Sequence, residues 1–284
     1  MALTFLDVTC DYAAGTAMAV RALDSVTLSV GPGELVLVLG PTGSGKTTLL
    51  RAAVGLLAPS QGSVEADGVA VAGVGTLRGS VGMLFQRPES QFFALTVEDD
   101  CAFGPRNLGR PAAEARSDAR EALAQAGLDP DVFGPREPWT LSGGEARRAA
   151  LAGTLAMHPR YLLLDEPTAG LDAAGRDAVG AVIESVRARA GVIVVTHDPD
   201  ALLPRADRVL VLQDGRAAFY GDVPAFMRSL PGLAAAGAAE PPEVSRTLLL
   251  SQDRTGHEGG ALTLDAGAAA SAIAALYAEN RSPR

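Results

Sequence analysis

Gly40-Pro41-Thr42-Gly43-Ser44-Gly45-Lys46-Thr47 fits the pattern G-x-x-x-x-G-K-[ST], whose chemistry is the cradling of phosphates. Glycines let backbone N–H groups turn inward around phosphate oxygens. The Lys46 ammonium meets β- and γ-phosphate charge, and the Thr47 hydroxyl is offered to Mg²⁺. Thr48 extends this candidate nucleotide-binding run. Of the 24 Lys+Arg residues Lys46 alone is a lysine, placed where guanidinium cannot copy the chemistry of an ammonium. Leu162-Leu163-Leu164-Asp165-Glu166 ends an apolar run with two acids, a costly arrangement in a core unless a cation or a reacting water sits beside them. Alone, such a pair reads more readily as a solvated strand end that caps the next helix. Beside a phosphate loop, Asp165 reads as a Mg²⁺ ligand and Glu166 as the group acting on the attacking water. Leu141-Ser142-Gly143-Gly144-Glu145 places a hydroxyl and bare glycine amides at a helix start, which by itself is no more than a helix cap.

The elements around these residues read as α/β. Residues 3–9 and 26–30 alternate apolar with polar, and the run 34–39, apolar from Leu35 onward, reads as a buried strand. From 45 to 57 the apolar positions Leu49, Leu50, Ala53, Val54 and Leu57 recur at three and four, so a helix directly follows the phosphate loop. Residues 62–83 read as short strands separated by glycine, and 111–127 and 143–155 as helices, the first of them exposed. Runs at 161–164 and 192–196 with a helical stretch at 173–189 between them make a βαβ unit, and 209–220 a hairpin turning at Asp214-Gly215. Residues 231–242, rich in Ala, Gly and Pro, read as a linker to a last helix at 266–277.

Composition sets the class. The chain has 284 residues, 48% hydrophobic and 20% charged, enough for a globular protein of about two domains or subdomains. A net charge of -9 argues against a surface that neutralises nucleic-acid phosphates. Cys10 and Cys101 lie in neither metal-ligand nor redox spacing, which fits a reducing compartment. No secretory signal is visible at the N-terminus, and the apolar window 261–278 is too weakly hydrophobic to span a bilayer. A membrane role must therefore work through a partner.

The phosphate loop, the Leu141–Glu145 run, the Asp165-Glu166 strand end and His197 in Val195-Thr196-His197-Asp198 occur in the order found in the ATP-binding cassette (ABC) family, which this chain resembles. The resemblance implies a P-loop ATPase fold, with a RecA-like parallel sheet, an antiparallel β subdomain, a helical subdomain at about 90–155, an ATPase domain over 1–222 and a small extension over 223–284. It implies ATP and Mg²⁺ as cofactors and two chains sandwiching two nucleotides, so that Ser142, Gly143 and Gly144 close over ATP held by the second chain. That chain would be identical or a paralogue. Gln86 then matches the glutamine near Mg²⁺ and water, Asp172 the aspartate of the loop after the acids, and His197 the γ-phosphate contact. Tyr12 matches the aromatic that stacks on adenine, although an aromatic ending a strand is often simply packing. Glu145 stands where glutamine is common, adding charge near the closing interface.

Phe85-Gln86-Arg87-Pro88-Glu89-Ser90-Gln91-Phe92-Phe93, with Thr96-Val97-Glu98-Asp99-Asp100 and Ala102-Phe103-Gly104-Pro105, is similar to the energy-coupling factor (ECF) transporter ATPases of cobalt, nickel and vitamin uptake. The resemblance implies that the segment from Gln91 to Phe103 receives a helix of a transmembrane scaffold subunit. It also implies an indirect link to a substrate-binding membrane subunit and residence on the cytoplasmic face of the membrane, with 223–284 a dimerisation segment. The same stretch read alone is a solvated acidic turn over a local core. Two rivals are the ATPase of a conventional ABC importer or exporter, and a soluble DNA-maintenance ABC ATPase. The latter would need a long coiled coil that 103–140 is too short to hold.

Overall fold

The structure is a computed structural model that describes residues 1–77, 79–255 and 262–279. Strands β1 (Leu3–Tyr12), β2 (Val20–Val30) and β3 (Leu35–Leu39) precede helix α1 (Lys46–Ala53), followed by β4 (Gln61–Ala66), β5 (Val69–Ala70) and β6 (Val81–Leu84). Helices α2 (Val97–Asn107), α3 (Ala112–Gln125), α4 (Pro130–Phe133) and α5 (Gly143–Leu155) come next. The chain then makes β7 (Tyr161–Asp165), α6 (Ala173–Arg187), β8 (Gly191–Val195), β9 (Arg208–Gln213) and β10 (Arg216–Asp222). It continues through α7 (Val223–Ala235), α8 (Glu243–Thr255) and α9 (Ala266–Glu279).

Two sheets result. One is antiparallel, in the order β2-β1-β4-β5; the other has six strands, β10-β9-β3-β8-β7-β6, parallel except for the β9–β10 hairpin. The unbroken apolar runs of β3, β7 and β8 follow from burial on both faces. Leu35, Leu37, Leu162, Leu164, Val192 and Val194 face a core shared with buried residues of α2, α3, α5 and α6. Val36, Val38, Tyr161, Leu163, Ile193 and Val195 alternate with them and face α1, β1 and β2. This α/β architecture is the expected one, and it brings the carboxyl ends of β3, β6, β7 and β8 to one edge.

Five readings of the elements change, the fifth at α8. Helix α1 stops at Ala53 rather than 57, because Gly55 turns left-handed at φ +73° and lies so close to Gly73 that a Cβ would sit 2.5 Å from its carbonyl carbon. Helix α2 was not expected; Thr96 caps it by accepting from the Asp99 N–H at 3.1 Å, while Gly104 and Pro105 obscure its periodicity. Helix α3 is not exposed all round, since Ala115, Ala119, Ala122 and Leu123 are buried. Helix α7 runs through Pro231, so the linker is shorter than 231–242. Burial of Phe226 and Leu230 holds that helix although a proline there withholds one N–H.

Helix α8 was also unforeseen and lies against α9. Residue 261 of the apolar window, and 256–261 and 280–284 of the expected extension, lie outside the described residues. Among the described residues no helix is long and apolar enough to cross a membrane. Both cysteines are free and buried.

Candidate active site

The phosphate loop joins β3 to α1 in a conformation closed to side chains. Gly40 has φ +142° and Gly45 φ +102°; a Cβ would stand 2.1 Å from the Leu212 carbonyl oxygen at the first and 2.4 Å from that of Ala22 at the second. Gly43, at φ +83°, has open space around it. The Ser44 hydroxyl is buried and has no hydrogen-bond partner in the protein, so the loop holds an orphaned polar atom of the kind a bound ligand satisfies. Lys46 folds over the loop, Nζ donating to the Gly40 carbonyl at 2.7 Å and that of Pro41 at 2.9 Å. Burial pulls its pKa down, opposed by the charges of Glu166 and Asp165.

At the end of β7, Asp165 is 2% exposed and Oδ2 accepts from the Thr47 hydroxyl at 2.9 Å. Burial pushes its carboxyl up, with the neighbouring Glu166 adding to the shift and the Thr47 hydrogen bond, Lys46 and Arg51 opposing it. A buried carboxylate so penalised beside a hydroxyl offers two hard oxygen donors to a cation. No group of three or more His, Cys, Asp or Glu capable of holding a metal exists among the described residues. This sparse set fits Mg²⁺, which takes most of its ligands from water and phosphate.

Glu166 has φ +54° and is 6% exposed. Its N–H donates to the Val195 carbonyl at 2.9 Å, and its Oε2 lies 2.9 Å from Nδ1 of His197 and 3.3 Å from the His197 backbone nitrogen. Gln86, two residues beyond β6, is exposed, and its carbonyl accepts from Arg147 of α5 at 3.3 Å. Arg147 also donates to the carbonyls of Glu166 at 2.7 Å and Ala169 at 2.8 Å. Nothing in the sequence marked this arginine, because its partners lie 19 to 61 positions away and are backbone atoms.

A cavity of about 350 Å³ is lined by Tyr12, Lys46, Thr47, Gln86, Asp165 and Glu166 among others, so these predicted residues do converge. The Tyr12 hydroxyl lies 3.4 Å from the Thr48 hydroxyl. His197 lines a neighbouring cavity of about 430 Å³ with Gly40, Pro41 and Thr42. Ser142, Gly143, Gly144 and Asp172 line neither. They lie near one another instead, since a Cβ on Gly144 would meet the Leu171 side chain at 3.4 Å.

Asp172 caps α6 by accepting from the Gly175 N–H at 2.8 Å. Ser142 and Glu145 form a reciprocal capping box at the start of α5, with Arg136 3.7 Å from Glu145. The Ser142 N–H donating to Glu145 holds that carboxyl below its usual range. The charge that the sequence left unexplained is thus used locally.

A family profile described as ABC transporter matches residues 23–169. The energy-coupling factor transporter ATP-binding protein EcfA2 of Symbiobacterium thermophilum is 46% identical over 227 residues, covering 78% of each chain. The cobalt import ATP-binding protein CbiO of Syntrophus aciditrophicus is 44% identical over 198 residues, 68% of this chain and 70% of that one. Among solved structures, a dimeric ATP-binding cassette in a post-hydrolysis state bound to ADP and Pi is similar at TM-score 0.71 and 29% identity, covering 78% of this chain and 99% of that one.

Proposed function

This chain belongs to the ABC transporter family, and from that premise we propose that it is the ATP-hydrolysing subunit of an ECF-type membrane transporter, energising uptake of cobalt, nickel or a vitamin. The observation that carries this reading is the convergence of the phosphate loop, Asp165, Glu166 and Gln86 on one cavity.

Gly40 to Thr48 hold the phosphates. An ammonium has three N–H donors, and with two on the Gly40 and Pro41 carbonyls Lys46 keeps one for phosphate oxygen. Thr47 and Asp165 would hold Mg²⁺, with Gln86 beside them; the ion supplies positive charge to the transferring phosphoryl oxygens. Glu166 takes the proton of the attacking water, His197 steadies that carboxylate and faces the γ-phosphate, and the Tyr12 ring stacks on adenine.

Ser142, Gly143, Gly144 and Asp172 act on the nucleotide of a second ATPase chain, a copy or a paralogue. Their absence from the lining of their own chain's phosphate cavity supports this. Residues 1–222 form the ATPase domain, with a helical subdomain at about 90–155, and 223–284 the extension. The segment from Gln91 to Phe103, where Phe93 and Phe103 stand exposed and in edge-to-face contact, docks a membrane scaffold subunit at the cytoplasmic face.

Glu166→Gln is expected to retain ATP binding, lower steady-state hydrolysis by about 10²- to 10⁴-fold and accumulate a closed dimer. Unchanged hydrolysis rejects the assignment of Glu166. Native purification should bring down a transmembrane scaffold and a small substrate-binding membrane protein; a soluble binding protein in their place would point to a conventional importer.

A further inference from the structure

We propose that Arg147 is a positioning residue for hydrolysis, clamping the backbone of Glu166 to α5, the helix that carries Ser142 at its N-terminus. The inference rests on reading Glu166 as the group that accepts the water's proton.

The guanidinium gathers three carbonyls from two separate stretches of chain. One nitrogen, Nη1, donates to both Glu166 and Ala169, and Nη2 reaches Gln86. Glu166 is a non-glycine residue at φ +54°, a conformation that persists only where its surroundings over-determine it. Its N–H is tied to Val195 and its carboxylate faces His197, while its carbonyl accepts from Arg147 at 2.7 Å and, at the longer distance of 3.3 Å, from the Ala169 N–H. Without Arg147 the Glu166 and Ala169 carbonyls lose charge-assisted hydrogen bonds, and only the long Ala169 N–H contact still holds the Glu166 carbonyl, so the left-handed turn can relax. The carboxylate moves with it. Ser142 stands five residues earlier on the same helix, about 7.5 Å along its axis, so a displacement of α5 reaches the base through one side chain. Arginine suits this task because its planar fork sends donors in two directions, whereas a lysine presents one point of charge.

The test uses the assembled transporter and compares Arg147→Ala, Arg147→Lys, Glu166→Gln and the Arg147→Ala/Glu166→Gln double variant, reading kcat, KM for MgATP and nucleotide affinity. Arg147→Ala is expected to lower kcat by about 10- to 100-fold while KM and affinity stay within about twofold, because the phosphate loop is untouched. Arg147→Lys should recover part of the loss, since an ammonium can still serve the Glu166 and Ala169 carbonyls. In the Glu166→Gln background the alanine substitution should change the residual rate by less than about twofold, there being no base left to misplace.

An unchanged kcat in Arg147→Ala, an equal loss in both backgrounds, or a raised KM at retained kcat overturns the role of Arg147. Full turnover by Glu166→Gln instead overturns the reading of Glu166, and this inference with it. Should Arg147→Ala fail to assemble, Arg147→Lys carries the test alone: a kcat reduced by about three- to tenfold at constant KM supports the role, and an unchanged kcat overturns it.

Discussion

Along the phosphate loop the backbone is packed so closely against Leu212 and Ala22 that only glycine fits at Gly40 and Gly45, and the geometry is set by the absence of side chains. Across the same cavity, around Glu166, a left-handed residue with a full side chain is held by Val195, His197 and Arg147. The first wall is built by exclusion and the second by hydrogen bonds from distant segments. A loop of the first kind is marked in sequence by its own glycines, whereas a corner of the second kind inherits its precision from side chains and carbonyls of distant segments.

The sharpest way to break this contrast is to add a methyl group to the first wall. Gly45→Ala is expected to abolish nucleotide binding and to destabilise the nucleotide-free protein by about 3–4 kcal/mol, since the new Cβ meets backbone rather than a flexible side chain. Gly43→Ala, in open space, should cost about 1 kcal/mol. Thermal denaturation of the two variants checks this, and equal effects would show that left-handed φ rather than close packing governs the loop.

On the second wall, His197→Ala should lower turnover by about 10²-fold with little change in melting midpoint, because the imidazole is 67% exposed and contributes to the placement of Glu166 rather than to the core. A large fall in melting midpoint instead would make this wall as structural as the other.

The smallest effect is expected at Glu145. Its carboxylate is held below its ordinary value of 4.5 by the Ser142 N–H, so its contribution to stability is full above that pH and is lost as pH falls through the lowered value of the folded state. Glu145→Gln keeps the capping box and should shift stability at neutral pH by less than about 0.5 kcal/mol while flattening the acid limb; Glu145→Ala should cost about 1 kcal/mol. Denaturation midpoints measured from pH 3 to 7 read both. The substitution of glutamate for glutamine would then sharpen the cap without altering either wall.

The strands of the parallel core were legible because β3, β7 and β8 are buried on both faces and so read as unbroken apolar runs. Helix α5 was legible through its serine cap and the two glycines that follow. Helices α2, α7 and α8 were not. Proline and glycine inside or beside α2 and α7 imitate loop chemistry, and burial of Cys101, Ala102, Phe226 and Leu230 outweighs that local preference. Helix α8 is entered from outside its own sequence: the Glu243 N–H donates to Asp200 at 2.8 Å, a partner 43 positions earlier.

Local sequence alone marked the phosphate loop, since its glycines, the lone lysine and Thr47 fall within one run of eight residues, whereas the close contacts with Leu212 and Ala22 that require glycine at 40 and 45 come from the tertiary structure. Local sequence marked the paired acids and the apolar strand before them as well. Only the tertiary structure decided that Thr47 would meet Asp165 across 118 positions, that Glu166 would face His197, and that Arg147 would bind three carbonyls at once. The physical reason is that these contacts join side chains to atoms brought near by sheet order and helix packing, and a backbone carbonyl, common to every residue, leaves no mark in a sequence.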